Sequence, residues 1–410
     1  MDSVASHNIK FLSHSDQGGR GDGVQVMVNK GFAYIGHGFS NGITIIDVRD
    51  AKNPKTVNFL PCPPNTRAHH LQTATHEKFG DLLLAVNGPS VWTMQVSQEA
   101  YFAGNSGDAL RDQQFTSGVR IYDLSKPEAP REIAFLPLGG LGPHRIWYVG
   151  ERYAYVSVHL PEFTDHILVI VDMKEPARPE VVGKFWLPGM NKAAGETPAW
   201  PQGKRYALHH GLGAGNLAFS AWRDGGLAIV DVADPAKPEL VSHRNWDPPF
   251  GGGTHSPLPL PDRNLLVVAD EANFADCSKG LRYIWTFDIR EPSNPVSIST
   301  MPVPDDADYC KKGGNFGPHN LWENRPGAFQ SSRFIFATLH NAGVRVYDLK
   351  NPFAPTEAGY FVPSPPAKMY DPRPNRPQVI QSCDCYVDAQ GVMYLTDSNA
   401  GLYILQFDGA

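Results

Sequence analysis

The chain has no long hydrophobic run and no excess of positive charge. No stretch of about 18 apolar residues occurs in its 410 residues, so the sequence predicts no membrane-spanning helix. Its 36 Lys and Arg residues against 42 Asp and Glu residues give a net charge of −6, which offers no basic surface for nucleic acid. The first ten residues, MDSVASHNIK, lack the apolar segment of a secretory signal. We therefore expect a cytoplasmic protein that binds neither a membrane nor nucleic acid.

Several common catalytic motifs and a disulfide pattern are also missing. The sequence contains no glycine-rich phosphate loop before a helix, no Gly-x-Ser-x-Gly and no His-Glu-x-x-His. Its five cysteines are odd in number and irregularly spaced, so we expect reduced thiols. Cys383 and Cys385 would face the same side of a regular strand, either as buried small residues or as a thiolate ligand or redox pair.

An internal repeat is clearest in a hydrophobic strand that ends in Asp. Successive copies are 76, 49, 59, 57 and 60 residues apart and end at Asp47, Asp123, Asp172, Asp231, Asp288 and Asp348, and a seventh copy carries Gln406. A turn bracketed by prolines follows each Asp, and the Asp is expected to cap that turn because it recurs in every copy. A period of roughly 40–60 residues with several short strands is typical of a β-propeller.

We therefore predict an all-β fold in which residues 1–410 form a single seven-bladed β-propeller with four-stranded blades. Residues 8–12 resemble a fourth strand, whereas the chain ends on a third strand at 402–407. The N-terminal strand is thus expected to pair into the last blade and close the ring, which removes free sheet edges. Longer insertions, all predicted on one face, cover about 87–117, 188–208, 271–280 and 363–382.

Residues 168–172 read LVIVD, and the chain resembles the LVIVD-repeat family over nearly its whole length. That family is distantly similar to selenium-binding proteins, which include methanethiol oxidases and are also propellers with histidines near the axis. The resemblance implies the architecture more than the reaction. For the reaction, it slightly favours an oxidoreductase.

Five histidines occupy the same phase of the repeat, at the start of the first strand of a blade: His69, His144, His209, His255 and His319. First strands line the channel of a propeller, so these imidazoles are expected to converge and bind a transition metal. A repeated turn residue is the alternative, although the neighbouring residues differ and two blades lack the histidine. An imidazole set suits Fe, Cu, Zn or Ni rather than Mg or Ca, and Mn would also serve a hydrolytic reaction.

Other polar residues are predicted to assist this metal. His70, Arg145 and His210 lie one position further along and are candidates for acid/base or oxyanion roles, although each His-His pair could be offset by one. Asp270 and Glu271 are candidates for catalysis or, with Glu323, for supporting the ligands. The loops after second strands offer further polar groups for supporting the ligands or contacting a substrate: His37, Asn87, His159 and His340. Four histidines that lack the shared phase are expected to be surface or packing residues: His14, His76, His166 and His243.

The sequence thus predicts a metal-dependent enzyme for a small organic substrate, with an oxidoreductase favoured over a hydrolase or lyase. A non-catalytic interaction scaffold is the third hypothesis. The inserted loops would form a lid over the site or a homo-oligomer interface. Aromatic residues near the same face suit an aromatic or apolar substrate, or else pack under the loops: Trp92, Trp186, Trp200, Trp222, Trp246 and Tyr309.

Overall fold

The structure is a computed structural model that describes residues 3–91, 114–371 and 376–409. Within these ranges the strands pair antiparallel and form six sheets. Three short 3-10 helices lie between strands: Lys192–Ala194, Pro261–Arg263 and Tyr309–Lys311. None of the helices in the described part of the chain has the length and hydrophobicity that crossing a bilayer requires.

The strands succeed one another as short antiparallel units in the first half of the chain. The N-terminal strands are β1 (Ser3–His7) and β2 (Ile9–Ser15). The first unit contains β3 (Gly23–Asn29), β4 (Phe32–His37), β5 (Gly42–Asp47) and β6 (Lys55–Pro61). The second contains β7 (Thr66–Arg67), β8 (Leu71–His76), β9 (Gly80–Pro89), β10 (Gly118–Asp123) and β11 (Arg131–Pro137). The third contains β12 (Gly142–Trp147), β13 (Tyr153–His159), β14 (His166–Asp172) and β15 (Glu180–Phe185).

The same order continues in the second half. The fourth unit contains β16 (Tyr206–Ala214), β17 (Leu217–Arg223), β18 (Leu227–Asp231) and β19 (Glu239–Arg244). The next contains β20 (Thr254–Leu260), β21 (Leu265–Asp270), β22 (Ile284–Asp288) and β23 (Val296–Thr300), and a single pair, Arg223 with Thr254, joins it to the fourth. The last strands are β24 (Phe334–Thr338), β25 (Val344–Asp348), β26 (Thr356–Pro363), β27 (Ser382–Val387), β28 (Val392–Asp397) and β29 (Gly401–Phe407).

The burial of each strand follows from its place in the unit. The second and third strands, such as β4 and β14, are almost wholly buried on both faces, which explains their continuous apolar sequences. The fourth strands, such as β6 and β11, are largely exposed or half-buried and carry more polar residues. The hydrophobic core therefore lies between the faces of neighbouring units.

The recurring Asp caps its turn, as the sequence predicted. Each of the six carboxylates accepts a hydrogen bond from the backbone N–H two residues later, at 2.7 to 3.1 Å. The pairing of the third strand with the fourth shifts register just before the Asp in every one of these units. The repeat thus encodes a bulge followed by a capped turn, which is a structural and not a catalytic device.

The N-terminal residues pair with two sheets that are otherwise built from the C-terminal part of the chain. β2 pairs antiparallel with β29, with Ile9 opposite Phe407 and Ser15 opposite Leu402, in agreement with the expectation for residues 8–12. β1 pairs instead with β26, with His7 opposite Tyr360, which the sequence did not suggest. Residues 3–15 therefore link two neighbouring sheets.

The expectation that all thiols are reduced is wrong. Cys277 and Cys310 form a disulfide across 33 residues of sequence, and Cys62, Cys383 and Cys385 are free. The bond connects the loop after β21 to the segment that leads to His319. Sequence reasoning missed it because Cys277 lies in a loop and Cys310 in the short 3-10 helix Tyr309–Lys311, and the proximity of these segments depends on the packing of separate units.

Removal of residues 1–15 should cause aggregation or a large fall in melting temperature, because both β26 and β29 would lose a hydrogen-bonded partner. The measurement is a thermal melt with size-exclusion chromatography. Lys10→Ala, which changes an exposed side chain of β2, serves as the control and should melt like the native protein. A truncated protein as stable as the full chain would show that these pairings contribute little.

A Cys277→Ser, Cys310→Ser double variant should lose roughly 2–4 kcal/mol of unfolding free energy, since the disulfide restricts the unfolded chain. Urea unfolding under non-reducing conditions measures this loss, and Cys62→Ser is the matched control. Mass spectrometry of the alkylated native protein should find three free thiols. Five free thiols would contradict the disulfide.

Candidate metal centre

The in-phase histidines occupy positions where first strands depart from regular pairing. In β12 the register shifts between Pro143 and Arg145, so His144 is an extra residue in the ladder. His255 holds the same place in β20, and Val24 and Cys383 hold it in β3 and β27. A bulge re-aims the side chain that it carries. The repeated bulge explains why residues from distant units point to one place.

All five predicted ligands meet in one continuous row, which we call the histidine arc (His69, His144, His209, His255 and His319). His69 Nε2 lies 3.2 Å from His144 Nδ1, and His144 Nε2 lies 2.9 Å from His209 Nε2. The rings of His209 and His255 stack at a centroid distance of 3.5 Å, and that of His319 follows at 4.7 Å. The phase of the sequence repeat therefore identified residues that lie together.

Hydrogen bonds on Nδ1 set the tautomers of three members of the arc. His209 Nδ1 donates to the His255 carbonyl at 2.9 Å, and His319 Nδ1 donates to the Cys383 carbonyl at 2.6 Å. His255 Nδ1 lies 2.8 Å from the Ser256 hydroxyl, which donates its own proton to Asn320. Each Nδ1 therefore carries the proton and each Nε2 offers a lone pair, as metal-bound histidines require.

Burial keeps most of the arc neutral. Burial lowers the pKa of four imidazoles well below the usual value: those of His69, His144, His209 and His255. It lowers the pKa of His319 to about 4, because the negative charge of Glu271 partly opposes the effect of burial there. A neutral imidazole can bind a cation without first losing a proton.

Glu271 lies beside the arc, directly after β21. Its two carboxylate oxygens are 3.6 Å from His255 Nε2 and 3.9 Å from His319 Nε2, and the guanidinium of Arg223 contacts it. Burial acts to raise its pKa, but the positive charge of Arg223 prevails and lowers it to about 2. The candidate ligand atoms of the three residues all lie within 4.8 Å of one another, which suits one metal ion.

Asp270, the other predicted acid, does not reach the arc. It accepts hydrogen bonds from the indoles of Trp246 at 2.8 Å and Trp285 at 2.7 Å, and from Thr254 at 3.0 Å. Burial raises its pKa to about 7 in spite of these donors. Adjacent residues of a strand face opposite ways, so Glu271 points to the arc while Asp270 supports its own unit.

The residues one position further along the first strands form a second row, which we call the inner layer (His70, Arg145, His210, Ser256 and Asn320). Arg145 Nη1 lies 3.2 Å from His70 Nε2, and its other terminal nitrogen contacts Asn320. The His70 and His210 rings are 5.7 Å apart. The predicted acid/base candidates therefore lie together, adjacent in sequence to the arc residues.

Glu323 joins the inner layer and not the arc. Its Oε1 accepts a hydrogen bond from His210 Nε2 at 2.9 Å, and its candidate ligand atom lies within 4.8 Å of those of His70 and His210. It also lines a cavity of about 560 Å³, together with Trp147 and Glu151. Burial acts to raise the pKa of Glu323, but the His210 hydrogen bond and nearby positive charge lower it to about 2.

Two histidines near the arc were not assigned to it from the sequence. His340 lies 4.9 Å from His319 between ring centroids, and both of its buried ring nitrogens lack a protein hydrogen-bond partner. His166 is buried 5.8 Å from the His144 ring, and its Nδ1 donates to Asp165 at 2.7 Å. His340 lies in the loop after β24, one of the loops from which the sequence predicts ligand support or substrate contacts, whereas His166, at the start of β14, lies outside the shared phase.

Cys383 and Cys385 have separate environments. The Cys383 thiol contacts the Gln381 carbonyl at 3.3 Å and lines a large cavity, whereas Cys385 belongs to the hydrophobic core. Burial raises the pKa of both thiols. The bulge at Cys383 breaks the alternation that would have placed the two on one face. The structure therefore favours the buried-thiol interpretation over a redox pair.

The described aromatic residues mainly pack within units and loops. Trp186 donates to Glu196 at 3.2 Å, Trp200 stacks on Tyr206 at 4.4 Å, and Trp222 is fully buried. Trp246 binds Asp270 and Tyr309 binds Arg345. Trp92 lies outside the described residues. The structure therefore gives these side chains packing roles.

The ring nitrogens of His14, His76 and His243 form hydrogen bonds with nearby backbone groups, as expected for surface or packing residues.

Comparison with known proteins supports a β-propeller fold. The sequence matches the LVIVD repeat at residues 20–58 and 214–245. No curated protein matches it significantly. The Cps50 (Swd1) beta-propeller domain from Myceliophteria thermophila is similar in structure, with a TM-score of 0.55, 12% identity and coverage of 97% of this chain and 98% of that one. A functionally unknown protein from Desulfotomaculum acetoxidans gives 0.52 and 10%, covering 93% and 89%.

Glu323→Gln should lower the unfolding free energy at pH 7 by roughly 2–3 kcal/mol, because a carboxylate with a lowered pKa stabilises the fold only while ionised. That contribution is present above about pH 4.5 and is lost as the pH falls towards 2. The difference between native protein and variant in urea unfolding should therefore shrink from pH 7 to pH 3. Glu151→Gln, at an exposed glutamate of the same cavity, is the control. An equal difference at both pH values would contradict an ionised Glu323.

Proposed function

We propose that this protein is a metal-dependent enzyme on a seven-bladed β-propeller, with the metal held on the axis by the histidine arc and Glu271. Five antiparallel units precede β24, of which the second has the short extra strand β7, and two more sets follow, β24–β26 with β1 and β27–β29 with β2. An isolated bridge between Leu321 and Ala337 supplies the beginning of a first strand for the sixth blade. Residues 3–15 would then close the ring by completing both final blades.

The observation that carries the metal proposal is the group formed by His255, His319 and Glu271. Two neutral imidazoles and one ionised carboxylate with ligand atoms within 4.8 Å match a common set for a catalytic transition metal. The Nδ1 hydrogen bonds of both histidines hold their Nε2 lone pairs towards Glu271, as outer-shell partners do in metal sites. His209, which stacks on His255, is the adjacent member of the arc and a further ligand candidate.

An oxidoreductase is the reaction class that this donor set supports best. Two histidines and one carboxylate with open positions are typical of non-haem Fe(II) sites, and bound iron would supply the redox chemistry towards O₂. The similarity to selenium-binding proteins and methanethiol oxidases stays an expectation from the sequence, since no curated protein matches the chain significantly. The same three ligands also bind Zn²⁺ in hydrolases, which makes a hydrolase the second candidate.

Other side chains would orient the metal ligands and balance the charges around the metal. Arg223 pairs with Glu271 and fixes the direction of its carboxylate. Arg145 brings a buried positive charge into the inner layer, where it would stabilise negative charge that develops on a substrate oxygen. His70 and His210 would position Arg145 and Glu323 rather than contact the substrate.

The disulfide bears on where the protein works. Disulfides persist mainly in oxidising compartments, so Cys277–Cys310 supports such a compartment over the expected cytoplasm. The predicted homo-oligomer interface stays a prediction, since most of the 87–117 insertion lies outside the described residues.

A His255→Ala, His319→Ala double variant should lose more than tenfold in bound metal while keeping its fold, because it removes two of the three closest donors. Elemental analysis by mass spectrometry of the purified proteins measures this loss, and circular dichroism checks the fold. The matched control is His243→Ala, which removes an imidazole that bonds to the Gly225 carbonyl far from any cluster. Stoichiometric metal in the double variant would place the site elsewhere.

The identity of the metal then separates the reaction classes. Iron or copper together with activity that requires O₂ would support the oxidoreductase, whereas zinc or manganese with anaerobic activity would support the hydrolase. Native protein that contains no metal and binds none would support the interaction scaffold instead.

A further inference from the structure

A cavity of about 1010 Å³ lies next to the arc and reaches His319. Val24 and Cys383 also line it. These two residues occupy the bulge position in the units that have no histidine there. The cavity therefore adjoins the arc at the gap that the two missing histidines leave.

Two polar groups of the cavity wall have unsatisfied hydrogen-bonding capacity. Both ring nitrogens of His340 and the Oδ1 of Asn399 are buried without a protein partner, and both residues line the cavity. The Asn399 side chain is held in place by a bond from its Nδ2 to the Val379 carbonyl at 2.9 Å. A buried polar group without a partner costs roughly 1–3 kcal/mol, so a ligand that supplies partners would recover that energy.

The Asn399 oxygen accepts hydrogen bonds only, and a neutral imidazole offers one acceptor and one donor. A hydroxyl group is complementary to both. The charged residues of the wall include Arg376 and Asp371, whose charged atoms lie 3.8 Å apart and oppose each other. An anionic ligand would compete with Asp371 for that guanidinium. The apolar part of the wall includes Val24, Met369 and Val379.

We propose that this cavity binds a neutral organic molecule with an apolar body and at least one hydroxyl group, which His340 and Asn399 recognise. That this molecule is the substrate rests on the proposed function, since it would lie beside His319. The binding itself depends only on the cavity and on its unpaired polar groups.

Phenol is a suitable probe, and anisole, its methyl ether, has a similar shape but no hydroxyl donor. Titration of the full-length protein by calorimetry or NMR should give a millimolar dissociation constant for phenol and one at least tenfold weaker for anisole.

His340→Ala should weaken phenol binding at least tenfold, while His76→Ala should leave it unchanged. Val24→Phe, which would fill part of the cavity, should abolish binding of both compounds. A thermal melt confirms that each variant is folded.

Equal affinity for phenol and anisole, or phenol binding that survives both His340→Ala and Val24→Phe, would overturn the proposal.

The same titration after removal of metal by a chelator separates the cavity proposal from the metal proposal. Phenol binding should persist within about threefold in the stripped protein, because neither His340 nor Asn399 is among the proposed ligands. Protein that contains no metal but still binds phenol through His340 would refute the metal centre alone, and metal-replete protein without phenol binding would refute the cavity alone.

Discussion

The candidate site depends on one backbone feature, the break in regular strand pairing at the start of the first strands, which in β3, β12, β20 and β27 is a single extra residue. A regular strand would place alternate residues on its two faces, and the side chains at this position would then enter the packing between units. The bulge at Val24, His144, His255 and Cys383 turns them aside, and the next residue resumes the ladder. Two rows of polar side chains, the histidine arc and the inner layer, follow from this one repeated irregularity.

Both rows bury polar groups, and each row leaves part of its hydrogen-bonding capacity unused. The inner layer pairs Arg145 with His70 and Asn320, and His210 with Glu323, but Nδ1 of His210 has no partner. In the arc Nδ1 of His69 has no partner, and the Nε2 atoms of His144 and His209 face each other at 2.9 Å. Buried polar side chains of folded proteins are normally paired. The unpaired ring nitrogens of both rows are therefore candidate contacts for a ligand.

The sequence predicted the parts of the structure that repeat and missed most of those that occur once. The Asp caps and the convergence of five histidines followed from shared phase, and β2 from the count of strands at the two chain ends. Asp270 and Glu271 could not be separated, because their roles depend on which way the end of β21 faces. The Cys277–Cys310 bond and the approach of His166 to His144 depend on packing between units, which single-chain patterns do not encode.

The positions without a histidine are as informative as those with one. In the proposed closed propeller, a histidine at every repeat position would surround the axis with equivalent donors and leave the centre lined by one kind of side chain. Val24 and Cys383 interrupt it on adjacent sides, and the 1010 Å³ cavity lies against that gap, bordered by His319. Glu271 approaches the same end of the arc, between His255 and His319. The group of His255, His319 and Glu271 and the cavity thus lie at the same end of the arc. Histidine is replaced at two of the repeat positions, by Val24 and Cys383, and is present at the other five.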